Sequence, residues 1–214
     1  MNTPLFPPID ASDKATLRRI LRQRRITQNP LQRTQAEKRA NNWLKTQIKR
    51  NKHIGIYWAI GSEIHLTQFI CAAHQRGAKL HLPYIERGKR QLWFTPFPKQ
   101  IRTIRSSKLK PHKKTTQIPQ FNGKKIRADR LHTLILPLIG IDQCGNRLGQ
   151  GGGFYDATLT ACKHKRLPKT IAFAFSCQTL AQLPAETHDF CVHELICEHG
   201  RIVFKQSKTS QETQ

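Results

Sequence analysis

Acid is scarce in this chain. Only 13 Asp+Glu stand against 37 Lys+Arg, a formal net charge of +24 over 214 residues. The bias predicts attraction to polyanions: nucleic acid, anionic lipid or a multiply charged small substrate. The basic residues are spread along the chain rather than gathered in a tail, which fits a general solubility trait equally well. Paired cysteines are missing too. Cys71, Cys144, Cys162, Cys177, Cys191 and Cys197 contain no CxxC and are irregularly spaced, which excludes a disulfide framework and points to reduced thiols in a cytoplasmic protein. No apolar run approaches bilayer length, and the proline-interrupted start "MNTPLFPPID" holds no apolar targeting segment, so a membrane partner is not expected. There is no internal repeat. Hydrophobic residues still make up 37%, enough for a core in a chain of this length.

What is present reads as one domain over 13–205, with an extended arm at 1–12 and a disordered polar tail at 206–214. Ser12 is a candidate N-cap for a helix running to about Arg25. Leu17, Ile20 and Leu21 form its apolar stripe, and Lys14, Arg18, Arg22 and Arg25 make one face cationic. A second helix is expected around 34–49, with Ala36, Ala40, Trp43, Leu44 and Ile48 toward the core. Strands are expected at 53–60, 79–85, 91–97, 131–141 (ending near Pro137) and 170–176. Helices are expected at 66–77 and 155–165, and a terminal hairpin over 190–198 and 201–205 turning at His199-Gly200. Residues 99–130 hold no period and read as a long basic connection. This alternation predicts an α/β layered fold, a central mostly parallel sheet flanked by helices.

The stretch "NRLGQGGGFYD" at 146–156 places Gly149, Gly151, Gly152 and Gly153 between an expected strand and an expected helix. Free backbone N–H groups and a helix dipole there favour anions, and glycine permits close approach and positive φ. Neither familiar phosphate loop is met. The dinucleotide fingerprint needs glycine where Phe154 stands, and a Walker A loop needs Gly-Lys-Ser/Thr where the chain has Phe-Tyr-Asp. Arg147 offers a guanidinium to a phosphate. Asp156 offers a carboxylate to Mg²⁺ bridging phosphates, or simply complements the helix dipole. Tyr155 offers a ring for stacking, or belongs to the core.

The segment "LPLIGIDQCGNRLGQGGGFYDATL" closely resembles the signature of the 5-formyltetrahydrofolate cyclo-ligase family: Leu-Pro, then Asp-x-x-Gly-x-Arg-Leu-Gly-x-Gly-x-Gly-aromatic-Tyr-Asp. Here these are Leu136-Pro137, Asp142, Gly145, Arg147-Leu148-Gly149, Gly151, Gly153, Phe154, Tyr155 and Asp156. "DKATLRR" is similar to the family's Lys-x-x-x-Arg element, giving Lys14 and Arg18. "YWAIGSEIHLTQFI" resembles the segment whose glutamate binds folate, giving Glu63, with Trp58 on the pocket wall. "KLHLPYI" and "LPAETHDFCVHELICE" resemble later family segments. The chain departs from the pattern at Ala157, where many members have Arg, at "QIPQF" (117–121), which lacks a Glu-Pro, and at Cys197, where threonine is usual.

The resemblance implies an ATP-dependent cyclisation of 5-formyltetrahydrofolate to 5,10-methenyltetrahydrofolate, with ADP and phosphate released through a phosphorylated formyl intermediate. ATP would be co-substrate and Mg²⁺ its ion, held by Asp156. Lys14 and Arg147 would be catalytic. Lys14, Arg18, Arg147, Gly149, Gly151, Gly152, Gly153, Phe154 and Tyr155 would hold ATP, and Trp58, Glu63 and Tyr155 the folate, whose polyglutamyl tail the surplus positive charge would suit. A monomer is favoured. One rival is a basic nucleic-acid-binding protein without catalysis, although the aromatics lie in apolar strand patterns and no nucleic-acid motif is present, so nucleic acid is expected only as a nonspecific partner. A second rival is a metal site at "CVHELICEH", where Cys191, His193, Cys197 and His199 share strand parity.

Overall fold

A computed structural model describes residues 5–9, 13–99, 118–184 and 190–205. Ser12, the connection over 100–117, the His-Asp residues within 185–189 and the tail from 206 lie outside the described residues.

Helix α1 (Lys14–Ile26) starts at Asp13, whose Oδ1 accepts from Ala15 N and Thr16 N at 2.9 and 2.8 Å, satisfying two of the donors that a first turn leaves open. Helix α2 (Pro30–Lys45) begins four residues before the expected start at Thr34. Asn29 caps it and Pro30 occupies the first turn, a position that asks for no N–H. Ala40 and Leu44 form its buried stripe. Trp43 corrects the sequence expectation: it is 46% exposed. It lies one position off the stripe, over the backbone of Gly200. Asn41, 1% exposed, ties α2 to the 65–69 segment: its Nδ2 donates to His65 O and its Oδ1 accepts from Phe69 N.

The 53–60 run is a strand only at its start, β1 (His53–Gly55). Beyond it the chain leaves the ladder toward a cleft. Helix α3 (Thr67–Gln75), β2 (Lys79–Ile85) and β3 (Leu92–Pro96) come close to expectation. The 131–141 run divides at Pro137, which has no ladder donor. β4 (Thr133–Leu136) stays in the main sheet, and β5 (Gly140–Asp142) enters a second one. β6 (Arg147–Leu148) precedes the glycines and α4 (Phe154–Thr160) comes after them. The expected helix to 165 ends at Thr160, before the run Lys163-His164-Lys165-Arg166. β7 (Lys169–Phe173), β8 (Thr179–Leu180), β9 (Glu194–Cys197) and β10 (Gly200–Val203) complete the chain. The last pair turns at Glu198-His199, because Gly200 already pairs with Cys197.

The main sheet has the order β10-β9-β7-β4-β1-β2-β3. β2, β1, β4, β7 and β9 run parallel, and β3 and β10 are antiparallel edges. The fold is therefore α/β with a mostly parallel central sheet. One face packs under α2 and α3 around Phe69, Leu44, Ile54 and Phe173. The other packs around Phe94, Leu134, Leu159 and Leu195. The small sheet β6-β5-β8 carries a third cluster with Leu17 and Leu21 of α1. The arm residues 5–9 dock on it: Pro7 O accepts from Ala181 N at 2.9 Å and Leu5 O from Thr179 Oγ1. Among the described residues no helix is long and apolar enough to cross a membrane.

Candidate active site

Parallel strands end together, and ligands of open α/β sheets gather at their carboxyl ends. Here that end holds a cleft of about 420 Å³. Tyr57 and Trp58 enter it just past β1, Pro83 and Ile85 from the end of β2, and Pro137 just past β4. α1 supplies Lys14 and Arg18, and the 149–156 segment closes the wall. Every site residue singled out from the sequence lines this one cleft: Lys14, Arg18, Trp58, Glu63, Arg147, Gly149, Gly151, Gly152, Gly153, Phe154, Tyr155 and Asp156.

Asp142 shapes the approach to the glycines. Its Oδ1 accepts from Cys144 N and Asn146 N, both at 2.9 Å, and its Oδ2 from Asn146 Nδ2 and Leu183 N. The carboxylate is 1% exposed, so it fixes the β5–β6 turn from inside. Gly151 and Gly153 then take φ +103° and +63°, values that a Cβ disfavours. No side chain crowds Gly153, and Gly151 meets only Arg18 Cζ at 3.9 Å. Backbone conformation therefore already requires glycine at these two positions. At Gly149 the reason differs, since a Cβ there would lie 2.7 Å from Arg147 Nη1. Among the described residues the amides of Gly151, Gly152 and Gly153 donate no hydrogen bond. α4 has only seven residues, so a weak dipole stands behind them and the nearby cations must supply most of the attraction.

Those cations lie on the cationic face of α1. Arg18 Nε donates to Gly149 O at 2.9 Å. Arg22 Nη2 donates to Gln150 Oε1 at 2.7 Å. Arg25 is 4% exposed, with Nε donating to Ser62 Oγ at 2.9 Å and Nη1 to Leu138 O; burial lowers its pKa. Arg33 donates to Arg25 O and Ser62 O. Arg25 and Arg33 thus hold the 60–64 loop, and Arg18 and Arg22 the 149–150 segment, against α1.

That loop presents Glu63, 4% exposed. Its Oε2 accepts from Ile60 N at 3.0 Å and its Oε1 from Gln150 Nε2 at 3.0 Å. Arg147 and Asp156, expected to act separately, are paired to each other: Nη2 donates to Oδ1 at 2.9 Å, with the side chains 5% and 29% exposed. The Arg147 guanidinium lies 5.7 Å from the Tyr155 ring centroid. Burial pushes the Tyr155 hydroxyl well above its ordinary pKa, Arg147 opposing and Glu63 adding to the effect. The hydroxyl therefore stays protonated.

Gln150 had no signal in the sequence. A single polar residue among glycines reveals nothing until Glu63, 87 positions away, is brought beside it. Cys191, His193, Cys197 and His199 do not converge on a metal: among the described residues no group of three ligand-type side chains forms. His193 Nδ1 is instead bonded to Thr170, Cys191 Sγ to Asn146 Oδ1, and Cys197 is buried.

The model of the 5-formyltetrahydrofolate cyclo-ligase family matches residues 10–198. A 5-formyltetrahydrofolate cyclo-ligase of Haemophilus influenzae is 26% identical over 195 residues, 88% of this chain and 99% of the relative. One from Mus musculus is 29% identical over 160 residues, covering 71% of this chain and 76% of the relative. The solved 5,10-methenyltetrahydrofolate synthetase of Aquifex aeolicus superposes with a TM-score of 0.70 at 20% identity, over 93% of this chain and 96% of that one, a likeness of fold. With the signature loop, the α1 cations and the buried glutamate meeting in one cleft, these matches lead to one conclusion: the chain is an enzyme of the 5-formyltetrahydrofolate cyclo-ligase family.

Proposed function

We propose that this chain uses ATP to cyclise 5-formyltetrahydrofolate to 5,10-methenyltetrahydrofolate, releasing ADP and phosphate. One observation carries the reading. A single cleft holds three cations, Lys14, Arg18 and Arg147, three glycine amides with no hydrogen bond among the described residues, and, lining the same space, the aromatic side chains of Trp58, Phe154 and Tyr155 with a buried carboxylate, Glu63. Such a site suits two unlike substrates, a polyphosphate and a flat polar heterocycle.

An N-formyl group is a poor electrophile because its nitrogen lone pair feeds the carbonyl. The formyl oxygen attacks the γ-phosphorus, the bond from phosphorus to the bridging oxygen breaks, and ADP leaves. N10 then attacks the formyl carbon, the carbon–oxygen bond breaks, phosphate leaves and N10 gives up its proton. Both steps depend on positioning and charge neutralisation more than on protein acids and bases. Arg147 changes partners from Asp156 to phosphate oxygens, where its fork can bind in two places. Lys14 and Arg18 add charge from α1. Asp156 is then free of Arg147, and one carboxylate beside substrate phosphates fits Mg²⁺, which keeps most of its other ligands as water and phosphate; when bound, the ion would neutralise phosphate charge. Glu63 accepts hydrogen bonds from the folate in place of Gln150. Trp58, Phe154 and Tyr155 exclude water that would hydrolyse the activated formyl group. The surrounding positive charge suits a polyglutamyl tail.

The test is direct. Purified protein mixed with 5-formyltetrahydrofolate and MgATP is followed for the absorbance of the methenyl product. Growth that requires both substrates supports the proposal, and its absence overturns it. Membership of an enzyme family sets aside the alternative of a nucleic-acid-binding protein without catalysis.

A further inference from the structure

At the opposite end of the sheet, where β1 and β2 begin, there is a second cavity of about 300 Å³. Among the described residues its titratable lining is entirely basic: His53 of β1, His74 of α3, Lys79 and His81 of β2, Lys99 beyond β3, and Lys124. Phe97 and Ile126 are among its apolar walls. A neighbouring cavity shares His53, Lys124 and Ile126 and adds Arg127, Arg130 and Lys165, with Asp129 its one acid.

The imidazoles are incompletely bonded. His81 is 4% exposed. Its Nε2 lies 2.7 Å from His53 Nδ1, while its Nδ1 is buried without a partner among the described residues, as are both ring nitrogens of His74. Buried polar atoms in folded proteins normally have partners, so each exception asks for one. A proton count shows what is lacking. In the neutral pair one proton sits between His53 Nδ1 and His81 Nε2. If His53 donates it, His81 Nδ1 carries an N–H with no acceptor. One further proton on the pair would make both outer nitrogens donors and leave a single positive charge that needs a counter-charge. Among the described residues no carboxylate lines the cavity to supply either.

The geometry points to a binding site for a tetrahedral oxyanion of the phosphate class, either the free ion or the terminal group of a phosphomonoester, between the His53–His81 pair and Lys79, Lys99 and Lys124. The anion accepts from His81 Nδ1 and stabilises the pair carrying that further proton, so its binding takes up a proton. In its absence burial holds the His81 pKa down to about 4, with His53 and Lys79 contributing.

The experiment uses the full chain labelled with nitrogen-15 at histidine. Imidazole spectra are recorded while inorganic sulfate is added, because sulfate does not change charge in this range, and chloride at equal ionic strength is the control. The readout is local, so it is independent of what the catalytic cleft binds. Saturable shifts at His53 and His81 are expected, with binding about tenfold tighter near pH ~6 than near pH ~8, because the bound pair carries an extra proton. His81→Phe should abolish the shift at His53. Should that variant fail to fold, Lys79→Gln combined with Lys124→Gln, both at exposed positions, should weaken sulfate about tenfold by removing two cations. Parallel titrations with inorganic phosphate and glycerol phosphate tell a free-ion site from one that admits phosphomonoesters. No saturable shift would overturn the proposal. So would an affinity unchanged between the two pH values, which would assign the effect to the lysines alone.

Discussion

At the scale of single residues, Arg147 and Glu63 carry most of the weight. Arg147 is nearly buried, with Nη2 on a partly exposed Asp156 and Nη1 donating a long bond to Pro137 O, so truncating it leaves no fully buried charge unpaired and should spare the fold. Arg147→Ala is expected to lower turnover by about 10²–10³-fold, the usual loss when one preorganised donor to developing charge is removed. Arg147→Lys should recover only part of this, since a point charge does not copy a planar fork. Steady-state rates beside a melting curve check both, and near-normal turnover in the alanine variant would remove Arg147 from the site. Glu63→Gln should raise KM for the folate and leave KM for ATP nearly unchanged; the lost charged hydrogen bond is worth about 1.5–3 kcal/mol. Equal weakening of both substrates would make Glu63 structural. Gln150→Leu removes the resting partner of Glu63 without removing the carboxylate, so its effect should also fall on the folate KM. The two carboxylates and the α1 cations were legible because their residue types and spacing match a known pattern. Gln150 was not, and neither were Tyr57, Pro83 and Ile85. An apolar run indicates burial, but not which end of a strand opens onto a cavity.

At the scale of elements, the glycine loop is the informative case. Four glycines in five positions read equally as a phosphate cradle and as a tight turn. The structure separates the positions: Gly151 and Gly153 answer to backbone φ, Gly149 to the room Arg147 needs. Gly153→Ala should therefore cost ~1–2 kcal/mol, the penalty of a Cβ in the left-handed region, with Gly151→Ala at least as costly. If ATP phosphates also lie against the loop, each variant should lose the melting shift that MgATP gives the unaltered protein, because that shift reports binding by mass action. A variant that melts lower yet keeps the full shift would leave the loop a turn and nothing more. The β5–β6 excursion between β4 and the loop was not legible. Pro137 announced the end of a strand, but nothing in a short apolar run says that the next piece joins a different sheet. Trp43 was misplaced for a related reason: an aromatic one step off a stripe counts as core in a periodicity, yet here it covers a hairpin.

At the scale of the whole molecule, the two ends of the sheet divide the positive charge. One end gathers it around Arg147 and the glycine amides, the other around a cluster of histidines. His53, His74, His81, His132 and His193 all have pKa values lowered, burial being the largest cause for each. The sign comes from linkage. Above the unfolded value of 6.5 both states are neutral at these positions. Below it the unfolded chain takes up protons that the folded chain resists, so stability falls with pH. For His81 the loss runs from 6.5 down to about 4. Chemical denaturation across that interval should show a falling midpoint, and His81→Phe should flatten part of it. A midpoint that is level there would contradict the buried, neutral state of these rings.

The central claim is that the cleft passes the γ-phosphoryl group of ATP to the formyl oxygen of the folate. It is tested most directly by labelling that oxygen with a heavy isotope and finding where the label goes after one turnover with MgATP. If the oxygen becomes the leaving phosphate, mass analysis will find the label in the inorganic phosphate, one atom for each methenyl product. Label recovered in water, with unlabelled phosphate, would mean that ATP hydrolysis and ring closure proceed without that bond, and would contradict the account.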